Sequence, residues 1–590
     1  MKQWRLLSVV FIIGLLGWGC SKKEESTEKI LRIPVAAEVK GFDPIDAGDK
    51  YASDEIGKVY EGLLQYHYLK RPYTLIPNLA EAMPEVSADG LSYTFKVRPG
   101  VLFQDDESFP GGKGRELVAE DFVYSIKRLA DPKQQSTGWW LYDGKLKGLN
   151  EWRDRNAQKS ASDYSEVVDG VMATDKYTVR FVLSRPFPQF LYALAMPYSF
   201  VTAKEVVDHY GKEFINHPVG TGPFKMVSKF SVQSRKIEYI KNPTFREKFY
   251  PSEGTDEDKT KGLLASAGKR IPLVDKIEVS IQPEEQTRWL NFQKGNLDHI
   301  SIPKDNFASA VTPSKDLTPE MKEKGMNLDI SPSLDVTYIA FQHDMPLFKN
   351  KKLRQAMSMA VDKEKENELF YNNTGIPAQS IVPPGIAGYM PSYQNPNRGL
   401  QLELAKKTLA EAGYPEGKGL PEIVFDHVGT SPTSRQMAEF FAKNMAEIGI
   451  NIKLNSGSWP ELTDRVRKRT TMMYGMAWGA DYPDAENFLQ LLYGPNESPG
   501  ANGSNYKNPE FDELFKKASL MQDSPERTAL YEKLNRIAAE EVPLIYGVHR
   551  TGFTIVQAWL QNFKATEFEW ERAQYLDLDL AKKSELSNKF

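Results

Sequence analysis

Apolar and polar positions alternate most plainly over residues 93–97, Tyr-Thr-Phe-Lys-Val, which is the pattern of a strand with one buried face. Asp89-Gly90 just before it is a hairpin turn signal. A shorter alternation at residues 30–35, Ile-Leu-Arg-Ile-Pro-Val, predicts that ordered structure begins there. Residues 56–64 read as an amphipathic turn of helix stopped by a glycine, and residues 118–132 as an amphipathic helix closed by Pro132. Two stretches break the rhythm. Residues 139–169 carry Trp139, Trp140 and Trp152 among many charges without clean periodicity, and residues 251–269, rich in Gly, Asp and Lys, read as a surface loop. Residues 476–488, Met-Ala-Trp-Gly-Ala-Asp-Tyr-Pro-Asp-Ala-Glu-Asn-Phe, are irregular in another way, because Pro483 keeps a helix from running through Asp481.

A chain of 590 residues is too long for one core and divides into roughly three or four compact units. Its 41% hydrophobic and 26% charged residues are ordinary for a globular protein, and a net charge of −4 offers no basic surplus for nucleic acid. Aromatic residues, at 11%, are plentiful enough to line recognition surfaces. The N-terminus alters this picture. Lys2 and Arg5 precede an apolar run over residues 6–16 that is too short to span a bilayer, and the only cysteine, Cys20, follows. This arrangement resembles a bacterial lipobox, with Gly19 fitting the pattern and Gly17 departing from the usual leucine. The resemblance implies a signal peptide over residues 1–19, a diacylglycerol-bearing Cys20, and a polar tether to residue 29. No later apolar run is long enough for a transmembrane helix, and there is no internal repeat.

Catalytic signatures are missing. The histidines, His67, His209, His217, His299, His343, His427 and His549, have no metal-type spacing, and neither His-Glu-x-x-His nor Gly-x-Ser-x-Gly occurs. Neither an enzyme, a metal site nor a cofactor is expected. The candidate chemistry is recognition. Asp481, between Trp478 and Tyr482 on irregular backbone, suits a ligand with one positive charge; a Trp-Gly turn with a capping Asp is the competing reading. Met472, Met473 and Met476 read as core or adaptable lining rather than metal ligands.

The run 79–103 resembles the family 5 extracellular solute-binding proteins, the receptors of ATP-binding-cassette importers for oligopeptides, dipeptides and nickel. So, in order, do residues 118–132, Val219-Gly-Thr-Gly-Pro-Phe-Lys225, Lys241-Asn-Pro-Thr-Phe245, 353–363, Pro383-Pro-Gly-Ile-Ala-Gly-Tyr389, 405–414, 478–488 and the stretch from Leu530 to Tyr546. The resemblance implies an α/β, two-lobed periplasmic-binding-protein fold (type II, cluster C) with an extra domain inserted in the first lobe. It places lobe I at 30–54, 181–285 and 541–590, the inserted domain at 55–180 and lobe II at 286–540. It also implies that Asp481 pairs with a peptide's ammonium, that Trp478 and Trp459 are pocket tryptophans and that Tyr546 is a cleft tyrosine; Tyr482 is a ligand-binding candidate from its ring beside Asp481 alone. The partners it implies are a peptide and the importer's permease, for a monomer lipid-anchored on the periplasmic side of a bacterial membrane. One departure is Gly475, where some oligopeptide receptors carry an arginine. Arg465, Arg467 and Arg469 lie nearby and read as a basic helix face. Nickel complexes, dipeptides, sugars and opines stay open as ligands, as does a chaperone or signalling role without import. If the lipobox reading holds, mass spectrometry of the native N-terminus will show an acylated Cys20, and Cys20→Ala will leave the membrane fraction; a Cys20→Ala protein that stays membrane-bound defeats it.

Overall fold

The computed structural model describes residues 27–586 apart from 229, 232, 430 and 569, so the expected signal peptide and Cys20 lie outside the described residues. Strand Ile30–Val35 forms where expected and runs parallel to Lys276–Ile281, which continues antiparallel into Lys236–Lys241 and Phe224–Met226. Alternation sets the face: Ile277, Val279 and Ile281 are buried. A second antiparallel sheet, in the order Glu85–Val86, Ser92–Lys96, Thr178–Val182, Val171–Asp175, opens at the Asp89-Gly90 turn and packs on helix Ala119–Ala130. The helix expected over 56–64 lies instead at Lys50–Val59, capped by Asp49 accepting from the Ala52 N–H at 2.9 Å. Beyond it Gly62 passes Leu194 so closely that a Cβ would stand 2.8 Å from the Leu194 carbonyl oxygen.

The sheet that matters for function has five strands in the order Ile452–Gly457, Ile423–Val428, Met473–Gly479, Asp335–Phe341 and Leu544–Tyr546. The first three are parallel, and Asp335–Phe341 is antiparallel to both of its neighbours. In-register pairing puts Tyr474, Met476 and Trp478 on one face with Ala340, Tyr338 and Val336, while Met473 and Gly475 share the other with Phe341 and Ile339. Each face is covered by helices, as a largely parallel sheet requires. On one side Phe341, Phe425, Met473 and Ile545 pack with Leu353, Leu409 and Met445 from helices Lys351–Met359, Leu402–Glu411 and Pro432–Ala446. On the other, Tyr338, Tyr474 and Tyr546 pack with Leu462, Phe511 and Leu534 from helices Trp459–Arg467, Pro509–Ser519 and Pro525–Glu541.

A three-stranded sheet brings distant parts of the chain together. Strand Thr551–Val556 lies between His299–Ser301 and Asn327–Pro332, antiparallel to both. Trp289, Phe292, Ile300, Met321, Phe553 and Ile555 form their own core there. Asp298 ties this unit to the first sheet, accepting from the Arg32 N–H at 2.6 Å and the Trp559 indole at 2.7 Å. Residues 286–332 therefore pack with the first lobe, and the crossings run near 332–335 and 546–551. Hydropathy did not mark them because Asn327–Pro332 passes into Asp335–Phe341 through only Ser333 and Leu334. Of the irregular stretches, 139–169 contains helix Leu149–Ala157 with Trp152 fully buried, and 251–269, expected as a loop, contains the helical turn Asp256–Thr260 and the buried Leu263.

Asp335 clasps the two crossings together. Its carboxylate accepts from the Arg550 backbone N–H at 2.9 Å and from Nε of the same residue at 2.5 Å, and the His549 Nδ1 lies 2.7 Å from its carbonyl oxygen. Burial pushes the His549 imidazole down to about 4, so it is neutral near pH 7. Because the Arg550 side chain is 49% exposed, Asp335→Asn should cost only about 1–2 kcal/mol of unfolding free energy rather than the loss of a fully buried pair. It should also broaden the interlobe distances measured between spin labels on the two lobes; an unchanged distribution would show that the clasp does not set the hinge.

Candidate ligand-binding site

The strands Ile452–Gly457, Ile423–Val428 and Met473–Gly479 end at one edge of the sheet, which is where open α/β sheets place their ligands. From that edge come residues 478–488. The Ala480 N–H donates to the Leu334 carbonyl at 2.8 Å, holding the segment beside the hinge. Asn487, fully buried, then organises the turn. Its Oδ1 accepts from Trp478 Nε1 at 3.0 Å and from the Asp481 N–H at 3.1 Å, and its Nδ2 donates to Asp481 Oδ2 at 2.9 Å. The Tyr482 hydroxyl donates to Glu486 Oε2 at 2.6 Å. Asp484 is paired with Arg527 at 2.8 Å and accepts from the Tyr531 hydroxyl at 3.1 Å.

The opposite wall comes from the first lobe. The Tyr192 ring lies parallel to that of Tyr482 at 6.2 Å between centroids, and Gln189 Nε2 reaches Asp484 Oδ2 at 3.4 Å. The lobes thus touch across the cleft. Among the described residues no cation lies within 4 Å of Asp481. It sits deep among protein atoms yet is not closed off from solvent, which is the signature of a cleft wall. Burial pushes its carboxyl above the usual range, and the Asn487 amide pulls it partly back. Burial likewise lifts Glu486 to about 6 and lowers the Lys145 ammonium, which faces Glu486 from the first lobe, to about 8.

The structure therefore brings Trp478, Asp481 and Tyr482 together. Tyr546 lies two strands away on the same sheet face, its hydroxyl buried. Trp459 stands at the same sheet edge at the start of helix Trp459–Arg467, 51% exposed; among the described residues no hydrogen bond or ring contact joins it to Asp481. Gly475 points to the other sheet face, where the Phe425 ring would lie 3.1 Å from a Cβ. Arg465 is drawn to Asp426 at 2.9 Å; Arg467 and Arg469 are both exposed, Arg469 donating to the Ser498 carbonyl at 2.6 Å. Met473 is core, and Met476 lies on the Trp478 face. Among the described residues no group of three His, Cys, Asp or Glu side chains is placed to hold a metal ion.

Residues 74–500 match the family described as bacterial extracellular solute-binding proteins, family 5 Middle. The chain belongs to this family. The heme-binding protein A of Haemophilus influenzae is 30% identical over 91% of this chain and 90% of its own length. The dipeptide-binding protein of Escherichia coli is 26% identical over 89% and 90%. The structure of the periplasmic binding protein DppA of Helicobacter pylori, in complex with peptide STSA, superposes with a TM-score of 0.71 over 93% of this chain and 98% of that one; at 24% identity it shows the shared fold. This family 5 protein accordingly has the two-lobed type II fold and is a binding protein, not an enzyme. Asn487, Glu486, Gln189, Tyr192 and Lys145 were missed from sequence. Asn487 carried no signal beyond its place six residues after Asp481, and the last three are brought to the site only by the fold.

A carboxylate that holds a ligand's cation must be ionised. Since burial raises Asp481 in the free protein, affinity for a cationic ligand should be complete above that raised value and fall as pH drops through it, with proton release on binding in the lower range. Calorimetry in buffers of different ionisation enthalpy measures this; affinity flat between about pH 4 and 7 would remove Asp481 from the ligand's charge.

Proposed function

We propose that this solute-binding protein captures peptides with a free amino terminus, oligopeptides as the class, in the cleft between its lobes. It then presents them to the permease of an ATP-binding-cassette importer from the periplasmic side of a bacterial membrane, as a monomer anchored through Cys20. The observation that carries the reading is the charge count at the cleft. Among the described residues Asp484 is ion-paired with Arg527, Glu486 is bonded by the Tyr482 hydroxyl and acted on by Lys145, and no cation acts on Asp481, beside Trp478 and Tyr482. One ligand ammonium completes the set, and in a closed cleft that pair is short of water and correspondingly strong. The relative named for dipeptides and the neighbour holding a peptide support the ligand class. The Tyr192–Tyr482 and Gln189–Asp484 contacts support a closed form that a bound ligand stabilises over the open one.

The test is a double cycle by calorimetry. Asp481→Asn keeps the shape and removes the charge, and N-acetylation removes it from the peptide. Each should weaken binding by about 3 kcal/mol or more, over a hundredfold, and the two should not add because they delete one interaction. Equal binding of free and acetylated peptide makes Asp481 structural and ends the amino-terminus reading. Unchanged peptide uptake in a deletion strain would favour a chaperone or signalling role.

A further inference from the structure

On the first-lobe side of the cleft stands an exposed indole with no assigned use. Segment 139–169 supplies two tryptophans of opposite fate: Trp152 is 0% exposed, whereas Trp140 is 40% exposed. Trp140 is held in place. Its ring meets Tyr198 edge-on at 6.4 Å, and Thr137 Oγ1 lies 3.2 Å from the Tyr198 hydroxyl. The backbone can lie this close because residue 138 is glycine; a Cβ there would stand 2.2 Å from the Tyr198 ring. The same hydroxyl, pushed up to about 12 chiefly by burial, also feels the charge of Asp481 across the cleft. Tyr198 is thus the neighbour shared by Trp140 on one lobe and Asp481 on the other.

The other flank of Trp140 is charged. Lys145 donates to the Trp140 and Leu141 carbonyls at 3.2 and 3.1 Å, and its ammonium lies 5.8 Å from the centroid of the Trp140 ring and 4.4 Å from that of Phe187. It faces Glu486, one oxygen of which is held by the Tyr482 hydroxyl at 2.6 Å. The indole thus lies between Tyr198 and Lys145, and Lys145 also meets Phe187, two residues before the Gln189 that reaches Asp484 across the cleft.

We propose that Trp140 is the platform for the first side chain of the ligand held at Asp481, and that the site selects an uncharged, apolar or aromatic residue there. The inference rests on the amino-terminus reading given above. A peptide whose ammonium is fixed at Asp481 projects its first side chain within a few ångströms of that point, towards the Tyr198–Trp140 wall. A ring or branched aliphatic group gains contact with the indole. A charged side chain of either sign gives up water there and finds no free partner, because Lys145 and Glu486 already act on each other.

The experiment is calorimetry with the tripeptides Phe-Ala-Ala, Leu-Ala-Ala, Ala-Ala-Ala, Lys-Ala-Ala and Glu-Ala-Ala, each with a free and an acetylated amino terminus. On wild type, the Phe and Leu peptides should bind about tenfold tighter than Ala-Ala-Ala, and the charged ones more weakly than it. Trp140→Ala should bring Phe-Ala-Ala to within about threefold of Ala-Ala-Ala while the acetylation penalty persists. Lys145→Met, which leaves the Trp140 plate in place, should improve Lys-Ala-Ala relative to Ala-Ala-Ala. Thermal melts of both variants check that the fold is kept. Equal binding of the Phe and Ala peptides by wild type, or a preference untouched by Trp140→Ala, overturns the platform while leaving the amino-terminus reading intact. Loss of the acetylation penalty in wild type overturns that reading and the platform with it.

Discussion

A carboxylate deep in a protein without a cation is held there against its own solvation, and the cleft of this molecule is arranged around that one constraint. Asp481 is given an amide donor on one oxygen, which keeps it oriented without supplying a countercharge. Asn487 can do this only because it is itself fixed by Trp478 and by the Asp481 backbone, so three residues of one turn act as a unit. The neighbouring acids are treated differently: Asp484 receives an arginine and Glu486 a tyrosine hydroxyl. The outcome is a wall whose neighbouring acids have partners within the protein, while Asp481 has only the Asn487 amide among the described residues.

Legibility in the sequence followed contiguity. Trp478, Asp481 and Tyr482 sit within one short irregular stretch, so their types and the Pro483 break were enough to single them out. The strands at 30–35 and near 93–97 were legible from their alternation, and the helix after residue 118 from its apolar spacing and Pro132, although the structure buries that helix almost all round. What the sequence did not disclose depends on distant parts of the chain meeting. Lys145, Gln189, Tyr192 and Tyr198 carry no local pattern that points to Asp481, nearly three hundred residues or more away; only the docking of two lobes makes them its wall. Trp459 and Tyr546 were named through family resemblance. Their positions, a sheet edge and a strand near the hinge, are set by pairing between distant strands that residue types do not encode.

The passage from one sheet to the next is silent in sequence for a related reason. A change of sheet needs no change of composition: Asn327–Pro332 and Asp335–Phe341 are both ordinary strands, and two residues between them suffice to pass from one lobe to the other. What distinguishes the crossing is Asp335, whose side chain binds the returning strand at Arg550. A buried acid at a strand start looks, in sequence, like any other.

The order of the five strands has a mechanical consequence. Both crossings enter this sheet at Asp335–Phe341 and Leu544–Tyr546, the two strands at one end, whereas Trp459 follows the strand at the far end. Tyr546 therefore sits close to the pivot, and Trp459 at the tip of a lever about four strand spacings, or ~19 Å, long. A rotation that hardly displaces the tyrosine, about 10°, swings the tryptophan by ~3 Å over such a lever arm. Leverage grades the cleft into a fixed inner end and a travelling rim, so a ligand's first contacts near the hinge are made on an almost stationary surface and its last ones on a moving one.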